Sequence, residues 1–119
     1  MKKITKKELK EILEQHKLWL DSNEKKGKRA DLSDADLTGV DLSGANLTCV
    51  DLTRANLRCA NLSNANLSDA NVYCVNLTDA NLIYANLTGA NLTCADLTCA
   101  DLTSANLYEV YLAGADLTH

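Results

Sequence analysis

From Ala30 onward the sequence is a single five-residue unit, Ala-Asp/Asn-Leu-Ser/Thr-X, written eighteen times without a slip of register. The first copy is Ala30-Asp31-Leu32-Ser33-Asp34 and the last is Ala115-Asp116-Leu117-Thr118-His119, so 90 of 119 residues belong to it. The centre is Leu in seventeen copies and Val72 in the other. Two residues earlier stands Ala, replaced by Val at Val40, Val50, Val75 and Val110. An α-helix advances about 100° per residue, so a period of five smears these apolar positions around its cylinder. A continuous strand alternates faces at every residue, so an odd period throws successive Leu residues to opposite faces. Neither regular element accommodates the repeat.

A short extended stretch followed by a corner does. In an extended Ala-Asx-Leu, Ala and Leu point to one side and Asx to the other. If the chain turns over the next two residues, each unit aims its Ala and Leu inward, and repetition gives a coil with an apolar axis and a polar surface. One unit cannot bury its own apolar residues, so successive coils must stack, with backbone groups pairing at roughly 4.8 Å. The chain has no Phe and no Pro, and its Trp and four Tyr avoid both inward positions. A narrow interior of Leu and Ala has no room for rings. Each buried Leu contributes about 2 kcal/mol, which offsets much of the ordering entropy. The corner residue is Gly at Gly39, Gly44, Gly89 and Gly114, and Asp or Asn at several others, types that tolerate unusual φ/ψ.

The motif Ala/Val-Asp/Asn-Leu-Ser/Thr-X, over about three quarters of the chain, resembles that of the pentapeptide repeat proteins. The resemblance implies an all-β solenoid: a right-handed quadrilateral β-helix with twenty residues per coil. Eighteen units then make about four and a half coils, a rod about 22 Å long at strand spacing.

Residues 1–29 are written differently. Thr5-Lys6-Lys7-Glu8 matches a capping box, with Ile4 and Leu9 placed as its hydrophobic staple. Leu9, Ile12, Leu13, His16, Trp19 and Leu20 continue as a helical stripe. The expectation is a helix over roughly 5–22, ended by a turn from Asn23 to Gly27, that lays its stripe over the first coil as a cap. Trp19 is the expected anchor. The chain thus divides into a capping helix with basic linker, 1–29, and the repeat, 30–119. The first part has ten Lys/Arg and five Asp/Glu, net +5; the repeat has Arg54 and Arg58 against eleven acids, net −9; together −4. Lys25, Lys26, Lys28 and Arg29 are read as a solvated linker. Lys and Glu interrupt every apolar stretch, so neither a signal peptide nor a membrane span is expected, and the location is read as cytoplasmic.

Five cysteines, Cys49, Cys59, Cys74, Cys94 and Cys99, all hold the last position of their units, and none forms a CxxC pair. An odd count without a secretion signal argues for reduced thiols. With twenty residues per coil, Cys74 and Cys94 become vertical neighbours within disulfide range. Cys59, Asp79, Cys99 and His119 fall in another column, where two good donors fall short of a four-ligand zinc site. No His lies within the repeat body to activate a Ser, and no concave pocket is expected to tune a pair of Asp residues. No catalytic, cofactor or metal site is assigned, and the chain is read as a non-enzyme. Tyr73, Ile83, Tyr84, Tyr108 and Tyr111 break the polar pattern of the outer positions.

Two functions follow. The first is a structural scaffold that binds another protein through one flat side, or itself through the C-terminal coil, whose open edge invites pairing. The alternative comes from the resemblance: some family members mimic duplex DNA and bind type II topoisomerases such as gyrase. Duplex DNA presents about one charge per 1.7 Å of axis, whereas the acids here divide among all sides. Direct contact with nucleic acid or membrane is not expected.

Overall fold

The computed structural model describes all residues, Met1–His119. Within the repeat, unit Ala60–Asn64 shows how five residues make one side. Asn61 N–H donates to Val40 C=O of the preceding coil (2.9 Å), while Leu62 and Asn64 N–H donate to Asn81 and Ile83 C=O of the following one (2.7 and 2.9 Å). Ala60 N–H closes the preceding corner on Leu57 C=O (3.0 Å). Ser63 N–H, which faces no neighbouring coil, donates to the Asn61 side-chain Oδ1 (3.0 Å). All five N–H groups therefore have a partner, as the interior of a water-free stack requires.

The corner geometry explains the period. A three-residue backbone hydrogen bond spans each corner, and the fifth residue of the unit has positive φ, as a type II turn demands. Seventeen corners from Asp34 to Gly114 take this form, and in thirteen the residue is not Gly, with φ between 53° and 62°. Every backbone bridge in the repeat joins a residue to the one twenty later, in parallel, from Asp31↔Asp51 to Asp96↔Asp116. Four units thus complete one coil. Because the chain bends after each one, the ladder consists of single bridges rather than long strands. The expected all-β character is expressed as bridges and turns, and the only named strands are two residues long.

One of these lies where no strand is expected. β1 (Lys2–Lys3) runs parallel to β2 (Ala35–Asp36), pairing Lys2 with Ala35 and Lys3 with Asp36, and Lys2 N–H donates to Asp34 C=O at 2.8 Å. It covers part of the first coil's open edge. The helix α1 spans Lys6–Asp21, one residue inside each expected end. Its capping box is complete: Glu8 N–H donates to Thr5 Oγ1 (3.1 Å) and Thr5 N–H to Glu8 Oε1 (3.2 Å). The chain then reverses through Asn23, Glu24 and Gly27, all at positive φ. Gly27 passes so close to the helix that an added Cβ would lie 2.9 Å from Leu18 Cβ. No helix is long and apolar enough to cross a membrane.

The core is one continuous column of Leu and Ala, with Val50, Val72 and Val75, running from Ala30 to Ala100 and joined by Leu9 of the helix. At the first coil Leu32, Leu37, Leu42 and Leu47 are at most 4 % exposed, with Ile4, Leu9, Ile12 and Leu13 packed nearby. At the last coil Leu102, Leu107 and Leu112 are only half-buried, and Leu117 is 47 % exposed. Trp19 is not the anchor expected of it. It is half-buried at the rim, stacked on His16, because the contact nearest the coil is made by Leu9 and by His16, which is 0 % exposed.

Two substitutions in one unit separate the core from the corner. Leu67→Ala removes a fully buried side chain and is expected to lower unfolding stability by about 3 kcal/mol. Asn66→Ala leaves Ser68 N–H without its Oδ1 acceptor and is expected to cost about 1–2 kcal/mol. Urea denaturation followed by circular dichroism measures both.

Candidate functional site

Two regions carry chemistry outside the repeated core: the helix–coil junction and the outward-facing columns. At the junction, His16 joins three parts of the chain. Ala30 N–H donates to His16 Nδ1 (2.9 Å), and His16 Nε2 lies 2.8 Å from Thr48 C=O. A backbone N–H can only donate and a carbonyl can only accept, so the ring is neutral with its proton on Nε2. Burial is the main cause that holds its pKa below the ordinary value; the Thr48 carbonyl opposes it, and the Arg29 charge adds to it. His16 is thus a satisfied packing histidine, as its place on the stripe suggests.

Beside this junction, α1 and the first coil leave an open groove of about 860 Å³. Its floor includes Leu9, Leu13, Leu37 and Val40, and its rim carries Lys6, Lys10 and Lys17 opposite Asp36 and Asp41. It does not tune the two carboxyls against each other, since Asp36 and Asp41 are each held by their own Thr38 and Ser43. It lies where α1, packed on the core through Leu9, Ile12 and Leu13, leaves part of the first coil uncovered, and no local pattern encodes that misfit.

On the outer faces, the twenty-residue register places the expected columns. Arg54 lies over Asp34, with Nε 2.9 Å from Oδ1 and a second contact at 3.2 Å. Arg58 reaches Asp79 at 3.8 Å. Both pairs are more than two-fifths exposed, so each adds little to stability. The Asx positions are acidic near both ends but Asn from Asn56 through Asn91. Between Leu52 and Ala95 the only charges are Arg54, Arg58, Asp69 and Asp79, which sum to zero.

The Asx oxygens have electrostatic consequences as well as structural ones. At Asp31, Asp36, Asp41, Asp96, Asp101 and Asp116 the hydroxyl two residues on, then the backbone N–H of that same residue, holds the carboxyl below its usual range. All five cysteines are free thiols. Cys74 and Cys94 do stack in one column, the neighbouring coils being tied by Cys74 N–H to Thr93 C=O (2.9 Å) and by the Asn71↔Asn91 bridge. Cys99 and His119 meet at the C-terminal end beside Asp101, but no three metal-binding side chains converge anywhere in the chain. Tyr73 and Tyr111 share the face built on Asp51, Asn71 and Asn91, while Tyr84 lies on another.

A family model described as Pentapeptide repeats matches in eight copies, over 35–72, 45–83, 60–98, 73–107 and 95–119. A pentapeptide repeat protein, Rfr23, from the cyanobacterium Cyanothece 51142 is similar at 41 % identity and TM-score 0.75, covering 78 % of this chain and 63 % of its own. HetL from Nostoc, described as involved in heterocyst differentiation regulation, is similar at 38 % identity and TM-score 0.72, covering 76 % of this chain and 44 % of its own. A pentapeptide repeat protein of the Arabidopsis thaliana thylakoid lumen is similar at 33 % identity and TM-score 0.57, covering 69 % of this chain and 61 % of its own. The chain therefore spans less than two thirds of the length of these structures. No curated protein matches it.

Acid should loosen the two regions in separate steps. The folded His16 pKa lies below the unfolded value, so its stabilisation is complete above about pH 6.5 and is lost as pH falls through the folded value. The depressed Asp residues act in the same direction lower down, complete above their ordinary range near 3.8 and lost beneath it. Trp19 fluorescence, which reports the stacked His16 ring, is expected to change at higher pH than the circular dichroism of the repeat. His16→Leu should abolish the upper step alone.

Proposed function

The chain belongs to the pentapeptide repeat family, and from that premise we propose that it is a non-enzymatic scaffold that binds another protein through one flat face. Members of the family fold as right-handed quadrilateral β-helices. We take this chain to be about four and a half coils of that helix, with α1 as the cap of the first. The twenty-residue register and the contrast in Leu burial between the two ends support that reading. The odd number of cysteines, none of them paired, supports a reducing compartment and so a cytoplasmic location.

One observation carries the choice of face. Tyr73 and Tyr111 are 38 % and 64 % exposed, and they share a side with Arg54. Tyr and Arg are the residue types that most often anchor protein interfaces. The neighbouring outer positions on that side are Thr53, Thr93, Asn71 and Asn91, which are polar and short. A rigid ladder holds these anchors at fixed spacing, so little ordering entropy is lost when a partner docks.

A second reading, self-association, is supported at the other end of the rod. Leu102, Ser104, Leu107, Glu109, Leu112 and Gly114 donate no backbone hydrogen bond within the chain, and half-exposed Leu side chains lie between them. A second copy stacked there would pair these donors and cover the apolar interior. DNA mimicry is the less favoured reading, because the middle of the rod, from Leu52 to Ala95, carries no net charge.

A photo-crosslinking residue at Tyr73 is expected to capture a discrete protein in cells, whereas the same residue at Thr98 on another face captures none; equal capture at both removes the assigned face. Light scattering is expected to give twice the 12.9 kDa chain mass, and a monomer removes the end-to-end reading. Gyrase supercoiling is expected to be unaffected at micromolar protein.

A further inference from the structure

Of the five cysteines, only Cys74 and Cys94 are stacked directly on one another. Cys49 is followed in its column by Asp69, Cys59 by Asp79, and Cys99 by His119. The column of the pair reads Asp34, Arg54, Cys74, Cys94, Gly114. Side chains at corners of successive coils reach one another along it: a Cβ placed on Gly114 would stand 3.4 Å from Cys94 Sγ. Cys74 and Cys94 stand in the same relation one coil earlier.

We propose that Cys74 and Cys94 form a preformed two-thiolate site for a soft monovalent cation, Cu(I) being the representative ion. Stacked coils repeat at roughly 4.8 Å. Two thiolate–metal bonds of roughly 2.3 Å placed in line span about 4.6 Å, close to the repeat of the coils. A disulfide is also within reach at this spacing, and the site described is that of the reduced pair. Thiolates select soft ions such as Cu(I). The absence of any third converging ligand excludes the four-coordinate geometry that zinc prefers.

The surroundings fit the charge change. Uptake converts two thiols and one Cu(I) into a bis-thiolate complex of net charge −1 and releases two protons to solvent. Arg54, the preceding residue of the column and paired with Asp34, lies within Coulombic reach of Cys74. The Tyr73 hydroxyl interacts with Cys74, which places a phenol beside the pair.

Serine can occupy these corners without changing the backbone: Ser104 already holds the same conformation at φ 59°. Cu(I) is supplied anaerobically to the reduced full-length protein and competed with a chromogenic Cu(I) chelator. The wild type, Cys59→Ser and Cys99→Ser are expected to retain one equivalent with equal affinity. Cys74→Ser and Cys94→Ser should each weaken retention at least a hundredfold while keeping the wild-type circular dichroism. X-ray absorption of the wild-type complex should show two sulfur ligands only. Retention by both Cys74→Ser and Cys94→Ser at wild-type affinity overturns the proposal, as does loss of the ion in Cys99→Ser.

Discussion

The interaction on which the rest of this structure depends is the hydrogen bond from the N–H of the fourth residue of each unit to the Asx oxygen two residues earlier. Backbone groups of adjacent coils satisfy the other four N–H groups or close the corners, but the fourth points away from both neighbouring coils. An Asn or Asp side chain is the right length to reach it, and in seventeen units it does. The exception confirms the cause. Tyr111 stands at the Asx position and cannot accept in this way, and Ala113 N–H has no side-chain partner. That unit lies in the last coil, where both residues are exposed and water can substitute.

The same oxygen explains the choice between Asp and Asn. Either side chain accepts the N–H, but stacked carboxylates about 4.8 Å apart repel by roughly 1 kcal/mol even in water. A central position has a neighbour on each side, whereas a terminal one has a single neighbour. Asn accordingly fills the Asx positions from Asn56 through Asn91, and Asp collects toward the ends. Asp96 raises the carboxyl of Asp116 above it, which is this repulsion at one contact, although the Thr118 hydroxyl and N–H outweigh it. Asn thus lowers repulsion in the middle of the rod, while Asp31↔Asp51 and Asp96↔Asp116 show that a stacked carboxylate pair is tolerated toward the ends.

Much of this was legible from the chain. The odd period excludes helix and strand and leaves one side per unit, and Thr5 with Glu8 marks the helix start because a capping box is a local pattern. The twenty-residue coil rested on family resemblance, since the unit alone does not say how many sides close a turn; the bridges supply it. Lys2–Lys3 pairs through backbone alone, and two lysines carry no apolar signal of a strand. Trp19 was expected as the anchor because hydrophobic size was the available guide. His16 holds that place because Ala30 N–H and Thr48 C=O must both be satisfied at the buried junction, and a neutral imidazole supplies one acceptor and one donor. A long-range pairing of this kind leaves no trace in local periodicity.

The outer letters are less free than their variety suggests. The fifth position must adopt the left-handed conformation, which costs a residue with a Cβ roughly 1–2 kcal/mol. β-branched side chains suffer most there, and none of the eighteen fifth positions holds Val, Ile or Thr. The fourth position has no such restriction, and it accepts Thr, Ile83, Tyr73 and Arg58 alike. Bulky apolar contact residues can therefore be introduced freely at the fourth position, whereas the fifth favours small or flexible groups. Cysteine suits the fifth position because it is small and unbranched, and all five cysteines stand there with φ between 53° and 62°. The backbone conformation of the corner thus decides which column can display thiols, and the stacking of coils then decides whether two thiols meet.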